Sequence, residues 1–139
     1  MRNGQDVYVL GDLPVVPTIP VVDMERAKAF YRDTLGLKPV RLPDAKRDAV
    51  GALFEAGDGT LLVLHQQPTP ANAAHALAGF WVEDLEAAVK ELAGRGVKFE
   101  QYDLPGTKTD EGGIAESSSH KGAWFKDPEG NILGLGELP

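Results

Sequence analysis

The polar and apolar positions of this chain form one pattern, written twice. Each copy opens on a short apolar run, Val15 to Val22 and Ala76 to Val82, with the length of a buried strand. An aspartate follows at once, Asp23 or Asp84, offering a carboxylate to the free N–H groups of a helix start. Met24, Ala27, Tyr31 and Leu35 then recur at helical spacing, and so do Leu85, Ala88 and Leu92. Each set is one apolar helix face. Gly36 closes the first helix, and Gly94 and Gly96 close the second, because glycine tolerates the left-handed conformation of a helix end. Three strands follow in each copy, at about 37–42, 52–55 and 60–65, then at about 97–103, 123–126 and 131–137. Asp58-Gly59 and Pro128-Glu129-Gly130 mark the hairpin turns.

The two copies can be registered on each other. Val22-Asp23-Met24-Glu25-Arg26-Ala27 matches Glu83-Asp84-Leu85-Glu86-Ala87-Ala88 at an offset of 61 residues, and Gly51-Ala52-Leu53-Phe54 matches Gly122-Ala123-Trp124-Phe125 at an offset of 71. The second copy therefore carries about ten extra residues between its helix and its last two strands. The Gly-, Ser- and Thr-rich stretch from Leu104 to Lys121 is the place for them. Such a segment loses much entropy on ordering, so it is expected to act as a mobile lid. The implied fold is α+β, two tandem βαβββ modules whose curled mixed sheets surround a cavity. It divides into an N-terminal extension (1–12) and a single domain (13–138), with module 1 at about 13–67, a linker at 68–74 and module 2 at about 75–138.

Composition narrows the function classes. The chain has 139 residues, enough for one compact domain with a real core. The net charge is -7, with Lys and Arg scattered. Nucleic-acid binding needs a basic footprint, so it is not expected, and an acidic surface argues against anionic membranes. Cysteine is absent, which excludes disulfides and thiolate chemistry. Met1 to Leu10 lacks the basic and apolar regions of a signal peptide. The most apolar stretch, Leu13 to Val22, is broken by Pro14, Pro17 and Pro20 and is too short to span a bilayer. A cytoplasmic location is the default expectation.

Two segments carry a family resemblance: Val22 through Tyr31 running into Leu35-Gly36-Leu37, and Phe125-Lys126-Asp127-Pro128-Glu129-Gly130-Asn131-Ile132. Through them the chain resembles the vicinal oxygen chelate superfamily of glyoxalase I, bleomycin-resistance proteins and extradiol dioxygenases. The resemblance covers about 14–138 and implies the paired βαβββ fold. It also implies a place for a metal, with a His, Glu or Gln ligand on the first and last strand of each module. Those positions correspond here to Val16, Leu77, Val63 and Gly134. None carries a donor atom that a divalent metal could use. The superfamily's lyase, isomerase and dioxygenase chemistry rests on that metal, so no metal or other cofactor is expected.

Strand alternation assigns the remaining candidates to faces. Thr18 shares the face of Val16, and His65 that of Val63. His75 and Trp81 share the face of Leu77. Glu116 lies in the long insertion. Two imidazoles and a carboxylate, His65, His75 and Glu116, could form a displaced metal site or act as metal-free acid and base. They could equally be rim residues hydrogen-bonded to a ligand or to backbone. Trp81, Trp124 and Tyr102 bring flat rings that stack on flat ligands, whereas Phe80 and Phe125 read as core. Gly134 removes side-chain volume and leaves room for a ligand atom, or marks a bulge.

The reading that results is a metal-independent small-molecule-binding protein of the bleomycin-resistance type. Its ligand is a small hydrophobic or aromatic molecule, held by Thr18, Val63, His65, His75, Leu77, Trp81, Tyr102, Trp124 and Gly134. The rival reading is an enzyme of the same superfamily using His65, His75 and Glu116. A homodimer is expected, since relatives of this fold commonly pair across a twofold.

Overall fold

A computed structural model describes residues 9–41, 51–118 and 120–138. Module 1 contains β1 (Thr18–Val21), α1 (Met24–Ala29), β2 (Lys38–Val40), β3 (Gly51–Glu55) and β4 (Leu61–Gln66). Module 2 contains β5 (Ala76–Val82), α2 (Leu85–Gly94), two two-residue strands β6 (Asp103–Leu104) and β7 (Thr107–Lys108), then β8 (Ile114–Glu116), β9 (Lys121–Lys126) and β10 (Ile132–Glu137). One four-stranded sheet runs β1-β4-β3-β2 and the other β5-β10-β9-β8. In each, the first strand lies parallel to the last, and the other pairings are antiparallel.

Both helices start where the aspartates stand. The Asp23 carboxylate accepts from the Arg26 N–H at 3.1 Å, and the Asp84 carboxylate from the Ala87 N–H at 3.1 Å. Gly36 and Gly96 then end them with φ of 78° and 92°. The helices differ by one residue in reach, since Asp23 to Gly36 spans one position more than Asp84 to Gly96. The first helix absorbs that residue as a π-helical turn over Phe30–Thr34, with the Leu35 N–H reaching back to the Phe30 carbonyl. A single inserted residue commonly produces such a bulge.

One apolar core joins the modules. Ile19, Phe54, Leu62 and Leu64 of the first sheet, Ala123, Phe125, Leu133 and Leu135 of the second, and Ala27, Tyr31 and Leu85 of the helices are all buried in it. Alternation therefore turns one face of each sheet toward the helices.

One expected element differs. The segment after α2 forms only an isolated bridge, Phe99 to Phe125, and not a strand over 97–103. The edge of β9 beyond that bridge is taken by β8, which pairs Ile114 with Ala123 and Glu116 with Lys121. The ten-residue excess thus supplies an edge strand and the β6–β7 hairpin. Its turn is held by Asp110, whose carboxylate accepts from the N–H groups of Gly112 and Ile114, each at 2.9 Å. Those bonds tie down the stretch that its composition marks as a lid.

The seam between modules is polar on one side. The Tyr31 hydroxyl donates to Asp127 Oδ2 at 2.7 Å, and both residues are buried. Burial, and then the adjacent Asp127 charge, push the Tyr31 hydroxyl far above its ordinary pKa, so it stays a donor. Asn131 bridges Asp127 Oδ2 at 3.0 Å and the Pro20 carbonyl at 2.8 Å. Beside it, the Glu129 carboxylate accepts from the Val22 and Asp23 N–H groups at the start of α1 and from Arg26. Burial raises the Glu129 pKa, but the hydrogen bonds from Val22, Arg26 and Asp23 outweigh it and the net shift is downward. A carboxylate with a depressed folded pKa stabilises above its unfolded value, and that contribution is lost as pH falls through the folded value. Urea midpoints of the wild type should therefore fall on acidification below about pH 5, and Glu129→Gln should flatten that slope while lowering the midpoint at pH 7. An unchanged slope in the variant would assign the acid sensitivity elsewhere.

Candidate functional site

The faces turned away from the helices carry Thr18, Val63, His65, Trp81 and Trp124. On the first sheet, Thr18 pairs with Val63 and Pro20 with His65. Thr18 and His65 are exposed, and Val63 is half-buried. On the second sheet, Gly79 pairs with Gly134, Trp81 with Gly136, Trp124 with Gly134 and Gly122 with Gly136.

Four glycines thus pave one surface, and two indoles lie on it. A Cβ built on Gly134 would stand 3.4 Å from both Cδ1 and Nε1 of Trp124, and one on Gly122 would stand 3.3 Å from Cη2 of the same ring. The Nε1 edge of the Trp124 indole therefore runs across both positions. A Cβ on Gly136 would stand 3.1 Å from Cζ3 of Trp81. A Cβ at Gly122 or Gly136 would crowd its ring by a few tenths of an ångström, and one at Gly134 would just touch the indole. Tyr102 meets Trp124 edge-on, with centroids 5.6 Å apart. Trp81 remains 71% exposed, although it offers one of the largest apolar surfaces of any side chain. A recess of about 310 Å³ opens over Gly79, Gly134 and Gly136, with Trp81 as its wall.

A second cavity, about 390 Å³, lies at the seam between the modules, lined by Leu35, Leu37, Phe80, Val82, Leu92 and Phe125 among others. Trp81 touches both cavities. Neither is lined by Thr18, Val63, His65, His75, Leu77, Tyr102 or Trp124. Leu77 sits at a register shift between β5 and β10 and packs against the core. The bulge breaks the simple alternation that put it on the face of Trp81.

His65, His75 and Glu116 are not brought together. The His65 ring contacts Gln67, and His75 Nδ1 lies 3.1 Å from the Ala76 carbonyl oxygen. Glu116 pairs with Lys121, which also faces Glu86 of α2, so it stands on the helix side of the sheet. Among the described residues no three His, Cys, Asp or Glu could hold a metal ion. The positions where the resemblance implies metal ligands, Val16, Val63, Leu77 and Gly134, likewise offer no donors. The described residues do not fit a divalent metal.

Sequence reasoning placed Gly136 on the face of Gly134 but missed Gly79 and Gly122. The signal was there: Gly134 and Gly136 alternate on one strand, and Gly136 pairs with Gly122 on the next. It also missed the seam, whose partners Tyr31 and Asp127 are 96 residues apart.

A family model described as the Glyoxalase/Bleomycin resistance protein/Dioxygenase superfamily matches residues 14–135. No curated protein matches the chain. Among solved structures, a glyoxalase family protein from Bacillus anthracis is similar over 100% of both chains, with TM-score 0.70 and 21% identity. The bleomycin-binding protein of bleomycin-producing Streptomyces verticillus, complexed with copper(II)-bleomycin, matches with TM-score 0.65 and 24% identity over 91% of this chain and 97% of that one. An antibiotic-binding protein from a Streptomyces species matches with TM-score 0.61 and 26% identity over 91% and 96%. Among the described residues no helix is long and apolar enough to cross a membrane.

Proposed function

The chain belongs to the glyoxalase/bleomycin resistance protein/dioxygenase superfamily, and on that footing we propose that it is a metal-independent protein that binds and sequesters a flat aromatic compound. The observation that carries this reading is the pair of indoles on a glycine floor, one of them 71% exposed. A soluble domain gains nothing in folding from an indole held in water. A planar ligand laid against Trp81 and Trp124 would bury apolar area and add stacking energy. Two structural neighbours are binders by name, of bleomycin and of an antibiotic. The enzyme reading, through His65, His75 and Glu116, draws no support from their separate surroundings.

The proposal includes a homodimer, since closed twofold dimers are the commonest oligomer. The test is a fluorescence titration with acridine as planar probe, alongside sedimentation at micromolar protein. Acridine should quench tryptophan emission saturably, and Trp81→Ala should weaken binding about tenfold, or 1.4 kcal/mol. The same change should leave the melting temperature nearly unaltered, because the side chain is exposed. Unsaturable quenching, or unchanged affinity in Trp81→Ala, would overturn the reading.

A further inference from the structure

The seam cavity acquires a meaning once the repeat is laid over it. At the offset of 61, Phe80, Val82, Ala88 and Leu92 correspond to Ile19, Val21, Ala27 and Tyr31. At the offset of 71, Phe125, Asp127 and Leu135 correspond to Phe54, Ala56 and Leu64. The helix ends agree with this match: the Leu37 N–H bonds to the Tyr31 carbonyl and the Val97 N–H to the Leu92 carbonyl. The molecule therefore has two pseudo-equivalent seams between a helix of one module and a hairpin of the other.

One seam is full. Ile19, Val21, Ala27, Tyr31 and Leu64 are all buried, and the Tyr31 ring fills the space with its hydroxyl on Asp127. The other seam is open. Leu92 stands where Tyr31 would be and Ala56 where Asp127 would be, and both line the cavity of about 390 Å³. Phe80, Val82, Ala88 and Leu92 are left half-buried there. Protein interiors leave few voids larger than a water molecule, and this volume lies within the range of small-molecule sites, roughly 300–1,000 Å³.

We propose that this cavity binds a small, uncharged monocyclic aromatic molecule, whose ring takes the place that the Tyr31 phenol fills in the opposite seam. The chemistry of the walls selects that class. Leu35, Leu37, Phe80, Leu92 and Phe125 are apolar, so a buried charge would go unpaired. Lys38 and Glu55, cross-strand partners of opposite sign, also border the cavity and suit a neutral polar substituent rather than an ion. Ala56 offers no side-chain acceptor where Asp127 does, so a ligand hydroxyl must point toward those two residues. This site shares Trp81 and Phe80 with the recess beside the indole platform, but it does not depend on the function proposed for that platform.

The probe is p-cresol, the free analogue of the tyrosine side chain, followed by methyl NMR of the full chain. Saturable shifts should appear at the methyls of Leu35, Val82 and Leu92 and not at the Trp124 indole N–H. Leu92→Tyr places the missing ring in the cavity and should weaken p-cresol about tenfold or more, with an equal or higher melting temperature. Ala56→Leu fills the cavity from the other wall and should do the same, which guards against a misfolded first variant. Shifts confined to Trp124, affinity unaltered by both variants, or no saturable shift would each overturn the proposal. Cavity methyls that move on dilution of the protein alone would overturn it too, by showing that a second copy covers the cavity.

Discussion

Asp127→Ala should destabilise the protein by about 3–5 kcal/mol, measured by urea unfolding at pH 7. The carboxylate is only 4% exposed and accepts four hydrogen bonds: from the Tyr31 hydroxyl at 2.7 Å, the Glu129 and Asn131 N–H groups at 2.9 Å, and Asn131 Nδ2 at 3.0 Å. Its removal strands the buried Tyr31 hydroxyl and opens the turn that carries Glu129 to the start of α1. Each buried polar group left without a partner costs about 1–3 kcal/mol, and at least two are left here. Against a total of about 5–15 kcal/mol, the loss is large. Tyr31→Phe gives the internal comparison. It removes one donor and leaves Asp127 three others, so it should cost only about 1–2 kcal/mol. The double variant should fall short of the sum, because the two residues share one bond. Should Asp127→Ala cost no more than Tyr31→Phe, the carboxylate would not be the hub of the seam.

The contrast between what the chain's pattern displayed and what it hid has a physical basis. Helix starts at Asp23 and Asp84 were legible because a cap acts within three residues. The duplication was legible because both copies keep the same apolar period, and the fold followed from it. The one-residue difference between the helices was also visible, as the spacing from cap to glycine, and it becomes the π turn at Phe30–Thr34. Strand boundaries after α2 were not legible. Val97 to Glu100 has the composition of a strand, but β8 from the insertion takes the rest of the β9 edge. The contacts from Glu129 to Val22 and Arg26 join positions more than a hundred residues apart and leave no local trace. For the site, the aromatic candidates Trp81 and Trp124 fall on one sheet, as alternation allows, and Tyr102 packs against Trp124 from outside that sheet, whereas His65, His75 and Glu116 do not converge. Alternation assigns faces, but it does not say which faces meet, and the bulge at Leu77 defeats it locally.

Trp124→Ala should weaken binding of a planar ligand by about 1–3 kcal/mol, a loss of roughly five- to 150-fold in affinity. The indole is half-buried and lies outside the core cluster. Its Nε1 edge rests on Gly134 and Gly122. The ring is thus held between the sheet and Tyr102, so a ligand meets it without first ordering it. Its partial burial also gives it a structural share, and truncation should lower stability by about 1–2 kcal/mol, less than loss of a fully buried aromatic. The measurement pairs acridine affinity with urea unfolding on the same sample. Affinity lost with modest destabilisation places Trp124 in the site. Gly134→Val is the complementary change: it keeps the indole but raises it from its floor, and should weaken acridine comparably. Were both variants to bind acridine as the wild type does while Trp124→Ala lost 3–5 kcal/mol of stability, the indole would be packing that happens to lie near the surface. The glycine floor would then serve the fold and not a ligand.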